Sequence, residues 1–231
     1  MSNILQDLVD LFYPKHCLLC KKPLITSEQH ICINCICDLP KTNYHKNKDN
    51  PARDLFYGYP QVNEVTAFLF FEKDGITQKI IHSLKYDGNS LLAEYIGRLA
   101  ALELKNYGFG ASIEAIIPVP LHQKKEKKRG YNQSWHIAKG ISSVYKCPVE
   151  NKLLKRITNT KSQTRKTVYD RHINVEKIFN LDDIEPLYGK HFLLIDDVIT
   201  TGATVSSCIE TLLTVPDIKI SIFSLSIARE Y

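Results

Sequence analysis

The 231-residue chain has no apolar run approaching the roughly 18 uninterrupted residues that a membrane helix needs, so membrane insertion is not expected. It also lacks the basic opening of a secretory signal: its first ten residues, MSNILQDLVD, are acidic instead. These two absences point to a cytoplasmic protein. Strong charge of either sign is missing as well. Thirty Lys and Arg stand against 25 Asp and Glu, a net charge of +5, which suits a phosphate-rich substrate, a nucleic acid or an uninvolved surface alike. Disorder finds no support, because 44% hydrophobic and 24% charged residues are ordinary for a globular domain. The length suits one α/β core with a small appendage. Near the start, Ile4, Leu5, Leu8, Val9 and Phe12 make a short amphipathic pattern, read as a packing helix rather than a membrane anchor.

What the chain does have is the stretch His191–Thr204, HFLLIDDVITTGAT. Four apolar residues, Phe192 to Ile195, precede Asp196 and Asp197, and Val198, Ile199, Thr200, Thr201, Gly202, Ala203 and Thr204 follow. An unbroken apolar run suits a strand buried on both faces of a parallel sheet, and Val205, Cys208, Ile209, Leu212 and Leu213 recur at helical spacing. The motif is a strand, a tight loop and a helix start. Two carboxylates at the end of a strand only accept hydrogen bonds, which suits them to the neighbouring hydroxyls of a ribose. Small hydroxyl residues around a glycine at a helix start turn N–H groups and hydroxyls toward a phosphate. Together they describe a sugar 5-phosphate site, against the plainer possibility of a strand ending in a solvated turn.

Four of the seven cysteines fall as Cys17-x2-Cys20 and Cys32-x2-Cys35, with eleven residues between the pairs. Two such pairs can present four thiolates tetrahedrally to one structural Zn²⁺, and in a reducing cytoplasm disulfides are the less expected use. Cys37, His16 and His30 lie nearby, so one of them could replace a ligand. Four cysteines close the coordination shell, which argues against a catalytic metal. The polar stretch from Lys41 to Asp54 reads as a connection. The expected division is a zinc-ribbon-like module over 1–45, a linker over 46–60 and the main domain over 61–231.

In that domain, Glu64–Phe71 reads as a strand, Ile76–Tyr86 and Ser90–Tyr107 as amphipathic helices, and Ala115–Pro120 as a second strand. A basic loop, LHQKKEKKRGYNQS, comes next. It leads into a helix marked by Ile137, Ala138, Ile141, Val144 and Tyr145. A cationic loop between strand and helix is well placed for a pyrophosphate, although such a run is usually just solvated. Lys85, beside the turn at Asp87-Gly88, either reaches a ligand or lies on the surface. Pro148–Leu154 reads as a short strand and Ile218–Ile227 as the last one. The segment Lys155–Phe179 is dense in polar and basic residues, among them Arg156, Gln163, Arg165, Arg171 and Asn174. Strands alternating with helices imply β–α–β units and a doubly wound parallel sheet.

Phe192–Thr204 resembles, at all thirteen positions, the 5-phosphoribosyl-1-pyrophosphate (PRPP) signature of type I phosphoribosyltransferases. Nearly the whole chain resembles the ComF family of phosphoribosyltransferase-like proteins. That likeness rests on the four-cysteine module, Lys85-Tyr86-x-Gly88, Pro118-Val119-Pro120-Leu121-His122, Arg129-Gly130-Tyr131-Asn132-Gln133, Arg156 to Gln163, Arg171-x2-Asn174 and Asp196–Thr204. The resemblance implies the type I phosphoribosyltransferase fold, with a pyrophosphate loop two strands before the PRPP loop and a lid over the site from the Lys155–Phe179 segment. It implies transfer of ribose 5-phosphate from PRPP to a nitrogen nucleophile. Asp196 and Asp197 would hold the ribose and stabilise positive charge at its anomeric carbon. Thr200, Thr201, Gly202, Ala203 and Thr204 would bind the 5-phosphate. Mg²⁺ would bridge pyrophosphate oxygens, with Arg129 and Arg171 taking up charge on the leaving group and Lys85 reaching the ligand. It also implies a part in natural competence, with single-stranded DNA and a helicase as partners. A competing reading keeps the pocket for binding alone, as a nucleotide sensor or part of a positive DNA groove. Tyr131, Trp135 and Tyr169 could then stack on bases, Trp135 being the one expected in the core.

Overall fold

The computed structural model describes residues 14–157, 178–181, 184 and 187–229. The N-terminal amphipathic pattern and the expected lid residues Gln163, Arg165, Tyr169, Arg171 and Asn174 lie outside them. A four-stranded parallel sheet has the order β1-β6-β5-β2, where β1 is Val62–Phe71, β2 Ala115–Pro118, β5 His191–Ile199 and β6 Lys219–Ala228. A separate antiparallel pair joins β3 (Leu154–Arg156) to β4 (Phe179–Leu181). The helices are α1 (Ile33–Cys37), α2 (Pro51–Asp54), α3 (Ile76–Tyr86), α4 (Ser90–Asn106), α5 (Gln123–Arg129), α6 (Gln133–Tyr145) and α7 (Ala203–Leu212).

The continuous apolar runs are explained by burial of both sheet faces. Leu193 and Ile195 of β5 join one core with Ile80 and Leu84 of α3, Ile96 of α4 and Ile137 of α6. Phe192 and Leu194 point into a second core with Val205, Cys208 and Ile209 of α7. The expected α/β architecture is therefore the one found. β6, last along the chain, lies inside the sheet between β1 and β5. Among the described residues no helix is long and apolar enough to cross a membrane.

Two local expectations are corrected. The basic stretch read as a loop forms α5 over Gln123–Arg129: it holds no β-branched residue, the His122 ring accepts from the Lys124 N–H at 3.2 Å, and Gly130 at φ +83° ends it. The strand expected over Pro148–Leu154 reduces to one bridge, Val149 beside Ile116. A turn over 151–153 intervenes, and pairing resumes at Leu154 with β4. Within the stretch 46–60, read as a linker, some residues are held by the core. Phe56 is fully buried, and buried Asn50 accepts from Ala52 N–H at 3.0 Å while its amide donates to the Val65 carbonyl at 3.0 Å.

α4 and α6 touch backbone to backbone. A Cβ on Gly140 would sit 2.1 Å from the Glu94 carbonyl oxygen, and one on Gly97 2.4 Å from that of Ile137. Gly140→Ala should therefore lower stability by about 2 kcal/mol, since forced separation of packed helices outweighs the better helix propensity of alanine. Thermal unfolding measures this; an unchanged melting temperature would contradict the close crossing.

Candidate functional site

β5 runs through both aspartates to Ile199, so the carboxylates stand on the strand itself and Thr200–Gly202 make the turn. Gly202, at φ +75°, precedes α7, and a side chain there would also meet the Phe56 ring at 3.3 Å. No side chain caps the start of α7. Thr200, Thr201 and Ala203 are exposed, and Thr204 is half-buried. A small pocket is lined by Asp196, Val198, Ile199 and every residue from Thr200 to Val205. The pocket thus takes in Asp196 and the Thr200–Thr204 loop of the sequence motif.

Asp196 Oδ1 accepts from the Asp197 N–H at 2.9 Å, and Asp197 Oδ2 pairs with Lys85 Nζ at 2.9 Å. Lys85 thus lies against the second aspartate of the motif. Burial and then the Asp197 charge raise Asp196 to about 7, against the opposing pull of the Asp197 N–H, Lys85 and Arg156. An acid held up in this way is neutral where the unfolded chain is already ionised. Its contribution to stability is complete below pH 3.8 and is lost as pH rises toward about 7. Asp196→Asn should therefore raise the melting temperature of the free protein at pH 8 more than at pH 4; an equal change at both would contradict a strained carboxylate.

A group of cations faces the pair. Lys125 of α5, an exposed residue, is pushed down by desolvation and by the charges of Arg156, Arg129 and Lys85, and held up by Asp197. Arg156, lowered by desolvation, feels Asp196 and lies over the Phe179 ring at 5.5 Å. The sequence placed Lys125 within the basic stretch suited to a pyrophosphate and Arg156 within the expected lid, but named neither singly as a site cation. Their position depends on α5 being helical and on the β3–β4 pairing, the second of which has no local signal. Arg171 lies outside the described residues.

The Arg129–Gln133 motif is largely structural. Gly130 ends α5, and Asn132 caps α6 through the Ser134 N–H at 3.0 Å while donating to the Val119 carbonyl at 3.1 Å. Tyr131 and Gln133 both donate to the Leu84 carbonyl. Trp135, expected in the core, is half-buried. Its ring meets the edge of His136 at 4.8 Å and carries Lys139 Nζ at 5.1 Å, because that side of α6 faces outward.

A wider groove of about 430 Å³ lies elsewhere, between Leu18, Leu19 and Lys21 of the cysteine module and Gln78, Lys79 and His82 of α3. It contains no phosphate-binding loop, so its size does not outweigh the chemistry at Asp196–Thr204.

At the N-terminus the sulfurs of Cys17, Cys20, Cys32 and Cys35 all lie within 4.8 Å of one another, and among the described residues neither Cys37 nor a histidine joins them. Cys20 and Cys32 Sγ are 3.7 Å apart, close to the edge of about 3.8 Å that a tetrahedron with Zn–S bonds near 2.3 Å requires. Burial opposes the Cys17 thiolate, yet the N–H groups of Cys20, Cys32 and Leu19 outweigh it and bring the thiol down to about 6. The four thiols fit a closed metal site.

No protein-family model matches the chain. The DNA utilization protein YhgH of Escherichia coli O157:H7 is 28% identical over 218 residues, 88% of this chain and 92% of that protein. Competence protein F of Haemophilus influenzae is 36% identical over 94 residues, 40% of this chain and 41% of the relative. Competence protein ComFC of Bacillus subtilis is 32% identical over 89 residues, 38% and 34% of the two chains. A hypothetical protein from Neisseria gonorrhoeae, solved with bound ppGpp, superimposes with a TM-score of 0.37 at 14% identity over 60% of this chain and 68% of its own, too remote to carry an argument. The chain is thus similar over most of its length to YhgH, and over part of it to competence protein F and ComFC.

Proposed function

We propose that the chain binds PRPP with Mg²⁺ at Asp196–Thr204 and serves DNA use in natural competence. The observation that carries the reading is a single pocket lined by Asp196 and the Thr200–Thr204 loop, with Asp197 next along the strand and Lys85 already on it. Asp196 and Asp197 hold the ribose hydroxyls, and the loop and the open start of α7 hold the 5-phosphate. Lys85, Lys125, Arg129 and Arg156 supply the cations that a departing pyrophosphate needs. Mg²⁺, hard and partly hydrated, supplies further charge neutralisation on the diphosphate when bound. The four-cysteine cluster holds structural Zn²⁺. The DNA role draws on the names of the relatives, a DNA utilization protein and two competence proteins.

A second reading, the pocket as a binding device in a DNA-handling protein, is favoured by α5 and α6. Five of the seven residues of α5 are Lys or Arg, and Trp135 stands partly exposed on the helix that follows. Backbone phosphates would lie on the first and bases stack on the second. One experiment separates the two: pyrophosphate release from PRPP, assayed against a panel of nitrogen nucleophiles with and without single-stranded DNA. Release with one nucleophile establishes a transferase. Absence of release, together with DNA affinity that falls steeply with salt, establishes a binding protein.

A further inference from the structure

The last turn of α3 is held from outside. In a helix the final carbonyls have no intrahelical donor, and here the Leu84 carbonyl accepts from Tyr131 Oη and from Gln133 Nε2, the latter at 3.2 Å. Both donors come from the start of α6 and the turn before it, nearly fifty residues along the chain. Gln133 is 1% exposed, and each part of its amide is used. Nε2 also donates to the Tyr131 carbonyl at 3.3 Å, and Oε1 accepts from Arg129 Nη1 at 2.8 Å. The residue after Leu84 is Lys85, whose Nζ lies 2.9 Å from Asp197 Oδ2. One buried amide therefore stands between the two site cations named from the sequence.

We propose that Gln133 is a positioning residue whose buried amide joins the Arg129 guanidinium to the Leu84 carbonyl and, through that carbonyl, fixes Lys85 on Asp197. It touches no ligand. The proposal concerns the same site as the PRPP reading, and its ligand arm rests on that reading. The amide has the two chemistries the task needs, an acceptor for a guanidinium and a donor for a carbonyl, which neither leucine nor glutamate can combine.

The test is made on the full chain, with Gln133→Leu, Tyr131→Phe, Lys85→Met and the doubles with Lys85→Met. The first readout needs no ligand: the carboxyl titration of the Asp196–Asp197 pair followed by ¹³C NMR. The charged and titratable groups facing that pair are Lys85 of α3, Lys125 of α5, Arg156 of β3, Cys208 of α7 and Tyr131. If Gln133 fixes Lys85, its loss moves the titration to higher pH, as Lys85→Met does, and adds nothing in the Lys85→Met background. Tyr131→Phe gives a smaller shift in the same direction and carries the test should Gln133→Leu fail to fold. The second readout is PRPP affinity, expected to fall on the order of tenfold in Gln133→Leu, the size of one lost charge-assisted contact. A merely structural glutamine would lower the melting temperature and leave the titration midpoint of the folded protein unmoved. That outcome, or an equal shift with and without Lys85, overturns the proposal. Should the wild type fail to bind PRPP, the functional reading falls while the ligand-free titration still decides the role of Gln133.

Discussion

Replacing Asp196 and Asp197 together by asparagine is expected to lower PRPP affinity by at least about a hundredfold, because each hydrogen bond to a charged group contributes about 1.5–3 kcal/mol and two carboxylates are lost. The fold should survive. Asparagine has nearly the same size, and its carbonyl oxygen at position 196 can still accept the N–H of residue 197 that Asp196 Oδ1 accepts at 2.9 Å. In the free protein, relief of a carboxylate held up by burial and by its neighbour works in favour of stability. The substitution thus separates the two consequences of the pair: stability is kept or gained while ligand affinity disappears. Lys85 loses its partner in the variant, so any residual affinity should fall further as salt rises. Calorimetry on the folded double variant checks this, and wild-type affinity there would sink the assignment of the aspartates.

The second large effect is expected on removing metal from the cysteine cluster. Cys17, Ile31, Cys32 and Leu39 belong to the same core as Phe68 and Leu69 of β1. The chain leaving the module also pairs with that edge strand, Thr42 N–H donating to the Phe68 carbonyl at 3.0 Å and Phe70 N–H to that of Pro40 at 2.8 Å. The module therefore covers one edge of the sheet. Structural zinc in small modules contributes about 10–16 kcal/mol to apparent binding at neutral pH, most of it as folding energy. If only about 4 kcal/mol of that reaches the whole domain, the melting temperature drops by roughly 10 °C. Freshly reduced protein should carry about one zinc per chain, as a closed four-thiolate site implies. A chelator, or Cys17→Ser with Cys20→Ser, should lower the melting temperature by that amount. Metal analysis finding no zinc, with a melting temperature indifferent to chelation, would remove the structural role.

What the sequence could and could not convey follows from how far each feature depends on contacts distant along the chain. β5 was legible because burial on both faces leaves an unbroken apolar run, and α3 was legible to its ends, Ile76 and Tyr86. The Thr200–Thr204 loop was legible because its residue types are local requirements of a turn that opens a helix. By contrast, the conformation of Gln123–Arg129 was read from its charge alone, and a ring cap from His122 turned the stretch into a helix. Phe56 and Asn50 looked like linker residues because nothing nearby in sequence announces that the core closes over them. Arg156 and Lys125 feel the charge of the carboxylates only through tertiary placement. The Tyr131 and Gln133 contacts to Leu84, across nearly fifty residues, have no signal in composition or period.

The most direct measurement is a calorimetric titration of the wild-type chain with PRPP in the presence and absence of Mg²⁺, with ribose 5-phosphate and pyrophosphate as separate competitors. The Asp196–Thr204 pocket beside its cluster of cations predicts one saturable site per chain, tighter with Mg²⁺ and weakened by either competitor, since each occupies half of the same pocket. No saturable binding of PRPP in the millimolar range, with Mg²⁺ present and the protein folded, would contradict it.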